Sequence, residues 1–368
     1  MKLICSLTEK ELGEGEPIFE WRPKGNYLAV AGSSNLVKLY DRSGNLIDEL
    51  VIPGQVEALS WDRDGDMLAI MNDKSTAVTL WEFTSKTATK LDSGMSGKEK
   101  PTFILWSHIS PVLAIGYDTG NLLLYNQRTS RKTSAIGKHQ SAITCGAFSN
   151  NELLALGSTD FTITVSSIDG DLLYSFMCNM EPSLIKFCDR KQQTDKNAKP
   201  DVMLGAILSQ NTILLAELSD NTQLINLQCQ VHYGQIVTFC WLVVTFATCF
   251  DVIYFKEIYA VQDFKTYLSS ICINESLSKV LLIGDNQIRI REMSRLDEIV
   301  EIVEVDIKNN DLCSISTNYD GRLVAASTRS GTLHLFLTKM PMLGAAYRNT
   351  IAILSSLNEI TLFREGEK

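Results

Sequence analysis

Short apolar stretches alternate with polar turns along nearly the whole chain. The clearest example is residues 17–41, PIFEWRPKGNYLAVAGSSNLVKLYD, where an apolar run ends in Trp21, a glycine-containing turn follows, and two more apolar runs come next. Short runs rich in aliphatic and aromatic residues, bounded by Gly, Asp, Asn or Ser, are typical of β-strands. The pattern therefore predicts an all-β protein.

The same unit returns several times along the chain. Copies begin near Pro17, Val56, Thr102 and Ala142, weaker copies cover residues 183–218, 268–292 and 312–337, and a divergent unit covers residues 234–264. Eight units between Pro17 and Met340 give about 40 residues each, close to the ~40–45 residues of a WD40 blade. We therefore predict a WD40-type β-propeller of four-stranded blades, with eight units counted and seven blades plus an irregular insert as the alternative.

The two ends of the repeat region complement each other. The last unit, which ends in LHLFLTK, has no outer strand after it, whereas residues 2–7 (KLICSL) precede the first unit. Pairing these two runs removes an open sheet edge, so we expect the N-terminal strand to close the ring. Residues 1–340 are thus predicted to form the propeller, and residues 341–368 a linker and the start of a second, truncated propeller.

The composition indicates the kind of compartment the protein occupies and the kinds of partner it can bind. The nine cysteines form no C-x-x-C pair and are odd in number, which favours a reducing compartment. A net charge of −9 opposes binding to nucleic acid. The uncharged run 236–250 is shorter than the ~20 residues of a spanning helix and is rich in Val, Thr and aromatic residues, so we predict buried strands and no transmembrane segment.

Catalytic chemistry finds little support in the sequence. The four histidines have no spacing typical of a metal site or a nucleophile pair, and residues 94–100 (GMSGKEK) have Glu99 where a phosphate-binding loop needs Ser or Thr. A propeller hydrolase needs His, Asp or Glu on the innermost strands, and the runs LAVAG, LAIM, LAIG and LALG, interpreted as those strands, carry none. We therefore expect no enzyme activity, metal or cofactor, and we expect His139 to form hydrogen bonds within its blade.

One local basic cluster stands out on this acidic chain. Arg128, Arg131, Lys132 and Lys138 fall within eleven residues, on the predicted outer strand and loop that lead into the fourth unit. Such a cluster can contact an acidic partner or a phospholipid headgroup, with a simple solvated loop as the alternative. The polar insert 189–200 lies within a predicted blade and is interpreted as a loop extension.

Several segments carry a more specific resemblance. GNYLAVAGSSNLVKLYDRSG, WDRDGDMLAI, LLLYNQRTSRKTSAIGKHQSAITCGAF, NELLALGSTDFTITVS, LIGDNQIRI and GTLHLFLTKMPMLG resemble, in order and spacing, the N-terminal propeller of the intraflagellar transport complex A WD-repeat subunit 144. The resemblance spans nearly the whole chain and is poorest over residues 200–264, where the sequence looks shortened.

The resemblance implies a non-enzymatic scaffold in retrograde ciliary transport, cilium assembly and the entry of membrane cargo into cilia. It implies as partners the other complex A subunits and ciliary membrane cargo or its adaptor. It also implies a location in the cilium, at the ciliary base (basal body) and in the cytoplasm. The alternative is a vesicle-coat propeller that binds cargo tails, for which dilysine recognition requires an acidic pocket on the top surface of the ring.

Overall fold

The structure, a computed structural model, describes most of the chain with several gaps. The described residues are 1–92, 98–190, 201–209, 212–218, 223–228, 269–284, 286–293, 295–305, 312–338, 344–348, 350–354 and 360–364. The divergent unit 234–264 with the apolar run 236–250, residues 191–200 of the polar insert and most of segment 94–100 lie outside them. Predictions on those segments stay predictions.

The described part of the chain forms seven four-stranded antiparallel sheets and one three-stranded sheet. The first strands of the chain are β1 (Lys2–Leu7), then, after the short helix α1 (Glu9–Leu12), β2 (Ile18–Trp21), β3 (Leu28–Ala31), β4 (Leu36–Tyr40) and β5 (Leu46–Val51). The second and third sheets contain β6 (Val56–Trp61), β7 (Met67–Asn72), β8 (Val78–Glu82), β9 (Thr87–Leu91), β10 (Pro101–Trp106), β11 (Val112–Tyr117), β12 (Leu122–Asn126) and β13 (Arg131–Ala135).

The remaining strands follow the same scheme. The fourth and fifth sheets contain β14 (Ile143–Phe148), β15 (Leu153–Ser158), β16 (Thr162–Ser167), β17 (Leu172–Met177), β18 (Leu184–Arg190), β19 (Asp201–Ser209), β20 (Thr212–Leu218) and β21 (Gln223–Gln228). Later strands are β22 (Ser270–Asn274), then, after a 3-10 turn (Glu275–Leu277), β23 (Lys279–Gly284), β24 (Gln287–Glu292), β25 (Arg295–Glu304), β26 (Leu312–Thr317), β27 (Leu323–Thr328), β28 (Leu333–Leu337), β29 (Gly344–Tyr347), β30 (Thr350–Leu354) and β31 (Ile360–Arg364).

Six of the sheets pair four consecutive strands in chain order, as the repeat predicted. Strands β2–β5 form the first sheet, β22–β25 the sixth, and β26–β28 with β1 the seventh. We call the four members of each sheet the first, second, third and outer strand. Second strands such as β11 are buried at every position, which explains their continuous apolar sequence, whereas the outer strand β5 is largely exposed. Trp21, Trp61 and Trp106 end first strands and are buried in the core.

Neighbouring sheets pack face to face through shared apolar clusters. Separate clusters join the first sheet to the second, the second to the third, the third to the fourth, the fourth to the fifth, the sixth to the seventh and the seventh to the first. In the cluster between the first two sheets, Trp61 and Trp81 meet edge to face at 6.2 Å between ring centroids. The hydrophobic core is therefore distributed between sheets.

One strand assignment from the sequence was wrong. The runs LAVAG, LAIM, LAIG and LALG are second strands, and it is the first strands of adjacent sheets, such as β2 and β6, that contact each other. Elements packed around a common centre approach most closely at their inner edges, so the first strands are the innermost. A fully apolar sequence indicates that a strand is buried on both faces. It does not indicate that the strand lies nearest the centre, which is what we had predicted. First strands do carry carboxylates, including Glu20 and Glu57.

The predicted pairing of the N-terminal run with the last unit is confirmed. Strand β1 is the outer strand of the seventh sheet, antiparallel to β28, with Ser6 opposite His334 and Leu7 opposite Leu333. The Ser6 hydroxyl and His334 Nδ1 lie 2.8 Å apart, which adds a side-chain hydrogen bond to the backbone ladder. The sheet thus joins residues more than three hundred positions apart. Closure of the whole ring and the number of blades stay predictions.

The short helix α1, which follows β1 and which we call the strap, connects the seventh sheet to the first. Leu12 of helix α1 is buried, and a Cβ on Gly32 would lie 2.0 Å from the backbone oxygen of Leu12. The Lys38 ammonium group donates to the backbone oxygen of Glu11. Because only a glycine leaves room for this close approach, the strap lies directly on the turn between β3 and β4.

The C-terminal residues form the separate three-stranded sheet β29–β30–β31. Its strand β31 is exposed at every position, including Leu362 and Phe363. The assignment of residues 341–368 to a linker and the start of a second propeller stays a prediction.

The pairing of β1 yields a stability prediction within one strand. Leu7 is 3% exposed in the cluster between the seventh and first sheets, whereas Leu3 is 49% exposed. We expect Leu7→Ala to lower the free energy of unfolding by about 2–5 kcal/mol, since it removes buried methyl groups and leaves a cavity. Leu3→Ala, the matched control, should change it much less. Urea unfolding followed by tryptophan fluorescence measures both; equal effects would contradict the role of β1.

Candidate partner-binding surfaces

The predicted basic cluster lies around the outer strand of the third sheet. Arg128 is exposed in the turn before β13, and Arg131 and Lys132 are exposed at its start. Successive side chains of a strand point to opposite faces, and Lys132 extends towards the second sheet, where Nζ donates to the backbone oxygen of Asp92 at 2.7 Å. Arg131, the preceding residue of the strand, therefore lies on the opposite face, and Arg128 is exposed in the turn.

Lys138 is separated from the other three basic residues. Strand β13 separates them: its first residue, Arg131, and its last, Ala135, are about 13 Å apart along the strand. Lys138 lies beyond Ala135. The half-buried Lys138 ammonium group lies 3.3 Å from the Ser166 hydroxyl of the fourth sheet. Burial lowers its pKa, and Asp171 opposes the shift. The structure therefore does not gather the four residues into one patch.

His139 forms hydrogen bonds within the fourth sheet, as predicted. Its Nδ1 lies 2.8 Å from the Thr162 hydroxyl, and its Nε2 lies 2.9 Å from the Thr164 hydroxyl. Asp160 accepts hydrogen bonds from the backbone N–H groups of Thr162 and Gln140. Burial lowers the pKa of His139 while Asp160 opposes the shift. This histidine joins a loop to the third strand of its sheet.

The inner edges of the first strands are linked by a polar contact that the sequence did not reveal. Glu20 on β2 accepts the backbone N–H of Trp61 on β6 at 3.0 Å. At the corresponding position of the next sheet, the Ser60 hydroxyl accepts the backbone N–H of Trp106, also at 3.0 Å. In both cases, the residue before a strand-ending tryptophan satisfies an N–H group of the next sheet. These contacts reduce the cost of an unpaired inner edge.

Glu20 is held in an unusual protonation state. The residue as a whole retains some exposure, but its carboxyl group is surrounded by protein, and this burial raises its pKa to about 8; the hydrogen bond from Trp61 opposes the shift. At neutral pH the carboxyl group is therefore mostly protonated. A neutral carboxyl group still accepts the Trp61 hydrogen bond through its carbonyl oxygen.

A belt of contacts joins the loops that connect first to second strands. Arg22 Nε donates to the Gly65 backbone oxygen at 2.5 Å, and the Arg22 guanidinium group lies 4.1 Å from the centre of the Phe83 ring. The other loop-to-loop contacts are Lys24 with Asp64, Arg63 with the backbone oxygen of Ile109, His108 with Asn150, Asn274 with the backbone oxygen of Gly321, and Asn318 with Asn26. They connect the sixth, seventh, first, second, third and fourth sheets in series.

The belt makes one side of the molecule a connected, polar surface. Pre-positioned loops lose little conformational entropy when they bind a partner. The only sequence signal was the recurrence of Asp, Asn and His after first strands, as in WDRDGD and WSHIS. That signal did not specify which loops touch.

Among the residues that the structure describes, no group of three or more His, Cys, Asp or Glu side chains is arranged to hold a metal ion. Within that part of the chain, no helix has the length and apolar character needed to cross a bilayer.

Repeated four-stranded sheets, packed side by side with their first strands in contact, define a WD-repeat β-propeller. The family model described as WDR19 first beta-propeller matches residues 17–331, and the chain belongs to this family.

Proteins of known sequence agree with this assignment. The chain is 38% identical over 384 residues to WD repeat-containing protein 19 of Mus musculus and 38% identical over 383 residues to that of Homo sapiens, covering 100% of this chain in both comparisons. It is 34% identical over 373 residues to WD repeat-containing protein dyf-2 of Caenorhabditis elegans, covering 98% of this chain. The chain spans 28%, 28% and 27% of the length of these relatives.

The raised pKa of Glu20 yields a pH prediction. The folded protein keeps a proton that an unfolded glutamate, with a pKa of about 4.3, releases. Stability therefore falls as pH rises from about 4 to about 8. Glu20→Gln keeps an acceptor for the Trp61 N–H but does not ionise. We expect its melting temperature to exceed that of the wild type by more at pH 8 than at pH 5.

Glu57→Gln is the control, because Glu57 is an exposed carboxylate on the neighbouring first strand. Its melting temperature relative to the wild type should change much less between these two pH values. Calorimetry at both pH values makes the comparison. An effect of Glu20→Gln that is the same at pH 5 and pH 8 would contradict a buried, protonated Glu20.

Proposed function

We propose that this chain is a non-enzymatic protein-interaction propeller of intraflagellar transport complex A, in which it supports retrograde ciliary transport, cilium assembly and the ciliary entry of membrane cargo. The observation that carries the proposal is the family match over residues 17–331. It is supported by identity over nearly the whole chain to WD repeat-containing protein 19 and to dyf-2. On this proposal the protein acts in the cilium and at the ciliary base, with a cytoplasmic pool.

The proposed partners are the other complex A subunits and a ciliary membrane cargo or its adaptor. The loop belt supports such a role, because a surface whose loops hold one another in place offers a partner a fixed set of polar groups. Arg63 and Asp64, for example, are half-buried and bonded to each other at 3.1 Å while each also contacts a neighbouring loop. Nucleic acid is not a proposed partner, given the net charge of −9.

The exposed basic residues are a second proposed contact. Arg128 and Arg131 lie on the outer rim of the third sheet, with Lys132 beside them. An acidic segment of a partner subunit or a phospholipid headgroup is the chemistry that would bind them. Lys138 contributes less to such a contact, because its ammonium group faces Ser166.

The direct test is affinity purification of the tagged full-length protein from ciliated cells, with mass spectrometry of the proteins that accompany it. We expect the other complex A subunits to be recovered in amounts comparable to the tagged protein. Recovery of vesicle-coat subunits instead would favour the coat propeller and overturn the proposal. Recovery of no stable partner from cells that assemble cilia would also contradict it.

The same experiment tests the basic residues. We expect Arg128→Glu combined with Arg131→Glu to reduce the recovery of one partner and to make the remainder more sensitive to salt, because reversed charges repel an acidic surface. Lys90→Glu is the matched control, since Lys90 is exposed on the outer strand of the second sheet. Equal recovery with the wild type and both variants would remove these arginines from the proposed interface.

A further inference from the structure

The outer strand of the fourth sheet lacks the charges found on most other outer strands. Strand β17 has the sequence LLYSFM, with neither a charged residue nor a proline. Among the described outer strands, β1, β5, β9, β13 and β25 each carry at least one charged side chain. Natural edge strands normally use charge or proline to prevent pairing with another chain. In the described topology β17 pairs only with β16, so its other edge presents unpaired backbone groups.

Large apolar side chains are exposed along this strand. Leu172, Leu173 and Met177 are 53%, 49% and 84% exposed, and Met180 just beyond the strand is 50% exposed. Methionine side chains adapt to different partner shapes, which makes them frequent at binding surfaces. The alternate residue Phe176, by contrast, is buried against the fifth sheet. One face of β17 is therefore anchored in the core while the other presents apolar groups to solvent.

A strained aromatic residue lies at the same end as Met177. Phe161 has a φ of +64°, a conformation that is rare for a bulky side chain, and it is 49% exposed. Its backbone oxygen accepts the N–H of Cys178 at 2.7 Å, and Thr162 lies opposite Met177 in the sheet. Asn35 and Asn286, in the corresponding turns of two other sheets, have the same backbone conformation, so the turn geometry sets the φ of Phe161. The turn exposes Phe161 at the Met177 end of β17.

Acidic side chains flank both ends of the strand. Asp169 and Asp171 are exposed before β17, and Glu181 is exposed after it. The Lys138 ammonium group is close enough to Asp171 for their charges to interact. An occupant with a positive charge at each end would complement these carboxylates. An acidic occupant would be repelled.

We propose that β17, with Phe161, Leu173 and Met177, is a docking edge that binds an extended, apolar segment with basic flanks from another protein as a fifth strand of the fourth sheet. The unpaired backbone edge requires an extended partner, the exposed apolar groups require alternate apolar side chains, and the flanking carboxylates require the basic ends. This inference does not depend on the proposed role in cilia.

A defined peptide tests the proposal. The probe is a dye-labelled synthetic peptide, Lys-Val-Thr-Val-Thr-Val-Lys, titrated with the whole chain and followed by fluorescence anisotropy. We expect saturable binding, weakened by about tenfold or more when both lysines are replaced by glutamate. We expect a similar loss when the central valine is replaced by proline, which removes a backbone donor. No saturation up to about 1 mM would overturn the proposal.

Two variants locate the binding. Met177→Lys removes an apolar group and places a positive charge beside a lysine of the bound peptide, so it should abolish binding of the lysine-flanked peptide. Val51→Lys is the matched control, because Val51 is 75% exposed and ends β5 at the position that Met177 occupies in β17. It should leave the affinity unchanged. Circular dichroism of both variants checks that they fold. Equal affinities for the wild type and Met177→Lys would place the peptide elsewhere and overturn the proposal.

Hydrogen exchange and sedimentation complete the test. Bound peptide should slow amide exchange in β17 and not in β5. If the wild-type chain sediments as a dimer that Met177→Lys converts to a monomer, the occupant of the edge is a second copy of the chain. That result would overturn the proposal of a separate basic partner.

Discussion

The antiparallel pairing of β1 with β28 is the constraint on which the rest of the arrangement depends. An array of four-stranded sheets that begins with β2 leaves its last sheet one strand short, and β1 supplies that strand from the opposite end of the repeat region. The same segment carries Leu7 and Leu12 into the apolar cluster between the seventh and first sheets. A contact between residues more than three hundred positions apart thereby holds the local repeats together. Forming such a contact during folding has a high entropic cost, because a long loop must close.

Polar contacts at two levels then fix how neighbouring sheets are placed. Near the centre, Glu20 and Ser60 each accept a backbone N–H from the following sheet. At the surface, loop contacts such as His108 with Asn150 join sheet to sheet in series. Apolar packing between sheets is strong but not directional, whereas hydrogen bonds fix register. The combination explains how a scaffold can present loops from different sheets as one surface.

Much of the fold could be predicted from the sequence because its signals are local. The apolar run, the polar turn and the next apolar run repeat within a window of about 40 residues, and tryptophan ends the first strand in the first three copies. The missing outer strand of the last unit even indicated the partner of residues 2–7. The innermost strands were misassigned, because an apolar run reports burial on both faces and not distance from the centre.

The candidate surfaces were harder to predict because they depend on neighbours in space. The proximity of Glu20 to Trp61 arises only when two sheets are packed together, and no spacing in the sequence encodes it. The basic residues were close in sequence, but strand alternation directs Lys132 to the second sheet and Lys138 lies against the fourth. The uncharged character of β17 was visible in the sequence, whereas its position as an exposed edge was not.

Hydrogen exchange of the native protein, resolved to single amides in β1 and β28, tests the central claim most directly. If the pairing of the two chain ends holds the array together, the bonded amides of both strands should exchange only through the global unfolding that also exposes second strands such as β3. They should then share one free energy of opening. Rapid exchange of β1 while β3 stays protected would show that the sheets cohere without it, and would contradict the account.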